Sequence, residues 1–198
     1  MIDNHFRKVM PKMVDPIIKI LMKLRVKPNQ VTVFAFLVSS SSVWFVLNNY
    51  FILAALIWWT GRILDGMDGI LARASKTTSS FGAYLDIVLD MAAYSLFIVG
   101  LSIRFPELQF NWILILGLYV LCITSALSFG SLLGEKEIKD NRGLKFGAGL
   151  AEAGETGIAY TLFMIFPKHI AILSLIWIGV LLITVLARTS LAYKTLKG

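Results

Sequence analysis

Four aspartates stand close together in a chain that is otherwise mostly apolar: Asp65, Asp68, Asp86 and Asp90. Asp65 and Asp68 are three residues apart, and Asp86 and Asp90 four apart, so each pair lies on one face of a helix. Between the pairs, residues 75–80 (SKTTSS) read as a polar turn joining two antiparallel helices. Folding that hairpin brings four carboxylates to one point. Uncompensated, they would repel one another or take up protons, so the cluster requires cations to stay ionised. Oxygen-only ligands at this density suit the hard divalent ions Mg²⁺ or Mn²⁺ better than Zn²⁺. The plainer alternative is a buried ion-pair network that ties the two helices together.

Further fixed positions surround the aspartates. Asp65, Asp68, Gly69, Ala72 and Arg73 are followed by Gly82, Asp86 and Asp90 in the arrangement D-x2-D-G-x2-A-R-x8-G-x3-D-x3-D. This resembles the signature of the CDP-alcohol phosphatidyltransferase family, matched at every fixed position and spacing. The stretch Pro28-Asn29-x-x-Thr32 also fits that family. Residues 149–156 (GLAEAGET) are similar to a segment of an uncharacterised bacterial inner-membrane branch.

The elements that must position these groups are membrane helices. Of the 198 residues 57% are hydrophobic and only 16% charged, with a mean hydropathy of +0.75, outside the range of soluble domains. The net charge of +7 could suggest nucleic acid, but its placement points to anionic lipid and no nucleic-acid role is expected. Cys122 is the only cysteine, which excludes an internal disulfide, and its apolar setting suits packing better than reactivity. No apolar signal-peptide core or cleavage site precedes the first span.

Residues 1–27 read as an amphipathic juxtamembrane segment and 28–198 as one membrane domain. In the first, Phe6, Val9, Met10, Met13, Ile17, Leu21 and Leu24 recur at helical spacing opposite Lys8, Lys12, Lys19 and Lys23. That pattern predicts a surface helix on anionic headgroups, with Asp15 as a cap and a break at Pro16. The second predicts six transmembrane helices at about residues 29–47, 51–74, 81–103, 108–134, 146–166 and 169–192, each near the ~20 residues a bilayer core requires. Residues 39–42 (SSSS) form a small-residue packing face. The spacings Gly130/Gly134 and Gly143/Gly147 suit packing or dimer contact. The fold class is therefore all-α and membrane-embedded. Six spans put both termini on one side, together with sixteen of the nineteen Lys and Arg residues. The positive-inside rule makes that side the cytoplasm, as expected of a bacterial inner-membrane protein. Ionisable groups of the second, third and fifth spans all fall at cytoplasmic ends, which predicts one polar chamber open to the cytosol.

The resemblance implies the chemistry of that chamber. Family members share six membrane helices, usually form homodimers, and cleave a CDP-alcohol with release of CMP. Asp65, Asp68 and Asp86 resemble the metal ligands, and Asp90 the catalytic base and a further ligand, around two Mg²⁺ or Mn²⁺ ions. Asp68, Gly69, Ala72, Arg73 and Gly82 would contact the CDP-alcohol. The donor implied is CDP-diacylglycerol and the acceptor a polar alcohol; transfer from a CDP-choline or CDP-ethanolamine donor to diacylglycerol is the alternative. Arg62, Arg142, Lys145, Glu152, Glu155 and Arg188 are left near the chamber as acceptor contacts. The basic members suit an acceptor phosphate, whereas Glu152 and Glu155 favour a hydroxyl-rich or cationic acceptor or serve as structural counter-charges. A metal or proton transporter could also use intramembrane aspartates, but its polar route would have to continue to the opposite face.

Overall fold

The computed structural model describes residues 14–132 and 153–197. Among these the chain is helical throughout, with α1 over 14–23, α2 over Pro28–Leu47, α3 over Phe51–Ala74 and α4 over Ser80–Arg104. Helix α5 spans Gln109–Leu132, α6 Ala153–Ile165 and α7 Ile170–Leu196. Short 3-10 turns that begin with a proline, Pro106–Leu108 and Pro167–His169, lead into α5 and α7. The fixed φ of proline suits a first helical position, where no amide donor is needed.

Among the described residues, four segments are long and apolar enough to cross a membrane: Pro28–Leu47, Ser80–Arg104, Pro106–Leu132 and Pro167–Leu196. Helix α3 matches them in length but carries Arg62, Asp65, Asp68 and Arg73 in its second half. Helix α6 is described over 13 residues only.

The turns follow local chemistry. At the end of α3, Lys76 adopts a left-handed φ of 55°. Thr77 N then donates to Ala72 O at 2.9 Å and Lys76 N to Arg73 O at 3.3 Å, closing the helix in a Schellman turn. Arg25 (φ 54°) and Asn49 (φ 66°) end α1 and α2 in the same way. Helix α4 begins at Ser79, whose hydroxyl accepts from Gly82 N at 3.0 Å and satisfies one orphan amide.

Helix α2 packs on α3 and α4, α5 on α7, and α6 on α3 and α7. The α2–α3 contact is close because small residues meet there. A Cβ added at Gly61 would lie 2.1 Å from Ser39 Oγ and 2.8 Å from Ser39 N. Ser39 and Ser42 are fully buried, so the serine run is a packing face as expected. A Cβ at Gly100 would meet Val43 Cγ1 at 2.6 Å, so α4 also packs against α2 through a glycine, here on a side chain. Trp59 Nε1 donates to Thr161 Oγ1 at 2.8 Å between α3 and α6, and Asn111 Nδ2 to Ser174 Oγ at 2.8 Å between α5 and α7.

Helix α1 departs from the expected pattern in one respect. Val14 is already helical, so Asp15 lies inside the helix and pairs with Lys19 Nζ at 2.5 Å; it is not a cap. Val14 and Ile18 are the residues that pack inward, on Val31, Met67 and Leu71, while Ile17, Ile20 and Leu24 are exposed. The positions 6–13 of the expected apolar stripe lie outside the described residues.

Candidate active site

The carboxylates sit where α3 ends and α4 begins. Asp65 and Asp68 occupy adjacent turns of α3, and Asp86 lies in the second turn of the antiparallel α4. One carboxylate oxygen from each of the three falls within 4.8 Å of the others. A divalent ion needs several hard oxygens at about 2.0–2.6 Å, and three anionic donors so spaced fit Mg²⁺ or Mn²⁺. Asp68 is the most enclosed, 8% exposed, and its Oδ2 accepts a hydrogen bond from Thr32 Oγ1 on α2.

Asp90 is paired with an arginine. Its Oδ1 accepts from Arg62 Nη1 at 2.5 Å. The same guanidinium lies 3.6 Å from Asp65 Oδ2, 3.2 Å from Tyr94 Oη and 3.5 Å from Ser39 Oγ. Its Cζ is 5.4 Å from the Trp58 ring centre and 5.3 Å from that of Tyr94, within cation–π range. The structure therefore gathers three of the four aspartates and couples the fourth to an arginine.

Away from the turn, the space next to Arg62 is filled with aromatic side chains. Trp58, Phe97, Tyr160 and Phe163 are at most 1% exposed. The rings of Phe97 and Tyr160 stack at 4.3 Å, and Trp58 contacts both at 5.1 and 5.0 Å. Tyr160 donates to the Tyr94 carbonyl at 2.9 Å and shares a 2.9 Å hydrogen bond with Tyr119, which accepts from Trp177 Nε1 at 3.0 Å.

Toward the turn, the site opens. A cavity of about 520 Å³ lies between the α1–α2 and α3–α4 connections, lined by Arg25, Lys27, Asn29, Lys76 and Ser79 among others. Two of these residues crowd Gly82: a Cβ there would sit 3.2 Å from both Asn29 Oδ1 and Ser79 Oγ. At Gly69 a Cβ would meet Arg73 Nη1 at 3.3 Å, so the guanidinium of Arg73 folds back over that glycine. Ala72 is half-buried one position before it.

Of the acceptor candidates, Arg62 belongs to the carboxylate site through Asp90 and Asp65. Glu155 lies half-buried in the first turn of α6. Arg188 is 5% exposed, with Nη1 donating to Cys122 O at 2.6 Å and lying 3.3 Å from Ser125 Oγ, so it joins α7 to α5. Arg142, Lys145 and Glu152 lie outside the described residues, as do Gly134, Gly143 and Gly147. Two contacts were not assigned from sequence, Thr32 on Asp68 and Tyr94 on Arg62. Thr32 carried a signal, its place in the Pro28-Asn29-x-x-Thr32 stretch.

Known proteins match this arrangement. The family model for CDP-alcohol phosphatidyltransferase matches residues 25–189. The chain is 28% identical over 206 residues to the inner membrane protein YnjF of Escherichia coli, covering 100% of this chain and 98% of that protein. It is 37% identical over 100 residues to an archaetidylinositol phosphate synthase of Pyrococcus horikoshii, covering 48% of this chain and 53% of the relative. The phosphatidylinositol phosphate synthase PgsA1 of Mycobacterium tuberculosis shares the fold. Its structure with manganese and citrate superposes with a TM-score of 0.75 at 18% identity, covering 90% of this chain and 88% of that one. Its structure with CDP-DAG bound gives 0.69, also at 18%, covering 92% and 94%. The family match spans most of the sequence and includes every aspartate of the cluster, so the chain belongs to the CDP-alcohol phosphatidyltransferase family.

Proposed function

We propose that this protein transfers a phosphatidyl group from CDP-diacylglycerol to a hydroxyl of a polar alcohol and releases CMP. The observation that carries this reading is the trio Asp65, Asp68 and Asp86, whose carboxylate oxygens lie within 4.8 Å of one another. Two divalent ions, Mg²⁺ or Mn²⁺, would neutralise the diphosphate and the charge that develops on the bridging oxygens. Asp65, Asp68 and Asp86 hold them, with Asp90 at the edge. The related synthase, whose structures hold manganese in one case and CDP-DAG in the other, supports the choice of ion and donor by likeness.

The other residues bind and orient. Gly69, Ala72 and Gly82 carry little or no side chain, so a flat nucleotide and its diphosphate can approach the backbone as Arg73 turns from Gly69 toward the phosphate. Arg73 neutralises phosphate charge, and the basic cavity wall of Arg25, Lys27 and Lys76 suits the same anion. Asp90 takes the proton of the acceptor hydroxyl as its oxygen forms a bond to phosphorus and the bond from phosphorus to the CMP oxygen breaks. The protons and charges then balance, with CMP leaving as the anion.

The site works at the cytoplasmic face of a six-helix membrane domain at residues 28–198, with α3 and α6 as the second and fifth spans. The preceding segment lies on the membrane surface, and the domain pairs as a homodimer. Glu155, in the first turn of α6, contacts the acceptor. The test is CMP release in liposomes from CDP-diacylglycerol and Mn²⁺, with a panel of inositol phosphate, glycerol 3-phosphate and uncharged or cationic alcohols. Release that needs both a divalent ion and one alcohol supports the reading, and Glu155→Gln then shifts the acceptor KM more than the donor KM. Ion flux without CMP release would overturn it.

A further inference from the structure

Arg62 is held through both of its terminal nitrogens. Asp90 and Asp65 approach one nitrogen at 2.5 and 3.6 Å, Tyr94 Oη stands 3.2 Å from it, and Ser39 lies 3.5 Å from the other. Trp58 and Tyr94 flank the guanidinium with their ring faces. Only 9% of its side chain is exposed. Ser39 can reach it because Gly61 lets α2 approach the α3 backbone. A guanidinium confined in this way has one orientation, and its planar fork fixes the carboxylate it holds.

Arg62 bridges Asp90 to Asp65, a member of the trio. We infer that Arg62 is the positioning residue for Asp90: a built-in cation that ties it to the edge of the metal site and orients it as a base. This rests on the assignment of Asp90 as base in the proposed function. It moves Arg62 from the acceptor to the reacting centre.

Four proteins separate the possibilities: wild type, Arg62→Gln, Arg62→Lys and Tyr94→Phe. For each, CMP release gives kcat and the donor KM, and electron paramagnetic resonance gives Mn²⁺ affinity without substrate. Arg62→Gln should lose about 100-fold in kcat, the scale of a misplaced catalytic group, while binding Mn²⁺ more tightly because an opposing charge is gone. Arg62→Lys keeps the charge without the fork, so Mn²⁺ affinity stays near wild type and only part of the rate returns. Tyr94→Phe loosens the guanidinium while keeping its charge, and should lower kcat severalfold with Mn²⁺ affinity unchanged.

If Arg62→Gln turned over like wild type, or lost rate and Mn²⁺ affinity together, the inference would be overturned. If Arg62→Gln fails to fold, a wild-type kcat in Tyr94→Phe overturns it instead. A wild type that binds Mn²⁺ yet releases no CMP overturns the functional reading and this inference with it, whereas an active wild type with an indifferent Arg62 overturns the inference alone.

Discussion

Asp68 is a ligand candidate whose orientation depends on a neighbour from another helix. Thr32 Oγ1 lies 3.2 Å from Pro28 O and also contacts Asp68 Oδ2. With one proton to give, it donates to the carboxylate, where the bond is charge-assisted. Thr32→Val should therefore weaken Mn²⁺ binding and activity by about 10–100-fold, as removal of a ligand's outer partner does, without unfolding α2. Asp65→Asn or Asp86→Asn removes a donor outright and should abolish CMP release with helical content retained; near-normal release would exclude the trio as the metal site. Asp90→Asn should lower kcat by roughly 10²–10⁴-fold, the range of a general base, with the donor KM little changed. Equal loss of binding and rate would make Asp90 chiefly a ligand. The aspartates were legible in the sequence because each pair is three or four residues apart on one helix. The Thr32–Asp68 and Arg62–Asp90 contacts join residues 36 and 28 positions apart, and no local period encodes them.

Helix placement was legible for a different reason. Apolar length and turn residues fixed the expected spans at 29–47 and 51–74, and the helices run Pro28–Leu47 and Phe51–Ala74. The last helix continues to Leu196, past the expected end at 192, because Lys194 and Thr195 are tolerated in an exposed final turn. What the pattern could not give is how near the helices come. Gly61 and Gly100 meet Ser39 and Val43 at 2.1 and 2.6 Å from an added Cβ, while Gly117 and Gly179 have nothing within 4 Å. These glycines look alike in sequence and should respond oppositely to alanine. Gly61→Ala should destabilise by about 1–3 kcal/mol through overpacking against backbone and disturb the Arg62 contact with Ser39. Gly117→Ala should be neutral or stabilise by up to about 1 kcal/mol from helix propensity. Thermal unfolding in one detergent ranks the two, and equal shifts would contradict the close α2–α3 approach.

At the scale of the whole molecule, charge and chemistry are segregated along the helix axes. The carboxylates, the cavity and the turns ending at Arg25 and Lys76 lie at one end. Toward the other end come Arg62 and then the aromatic cluster of Trp58, Phe97, Tyr160 and Phe163, which closes that side with apolar bulk. A site open at this end alone would admit reactants from one face, as the proposed transfer between a soluble and a lipid substrate requires and as transport would not. The Arg104–Asn49 contact and the exposed Glu107 lie at the closed end, and Lys197 follows α7 at the open end. With Lys and Arg concentrated at the open end, the positive-inside rule predicts that this end faces the cytoplasm. Because Cys122 is the only cysteine, a Cys122→Ala background allows single reporters at Glu107→Cys and Lys197→Cys. In intact spheroplasts a membrane-impermeant maleimide should label Glu107→Cys at once and Lys197→Cys only after permeabilisation. The reverse pattern would put the carboxylate site on the outer face, away from cytosolic CDP-activated donors, and labelling of both in sealed cells would deny an odd number of crossings between them.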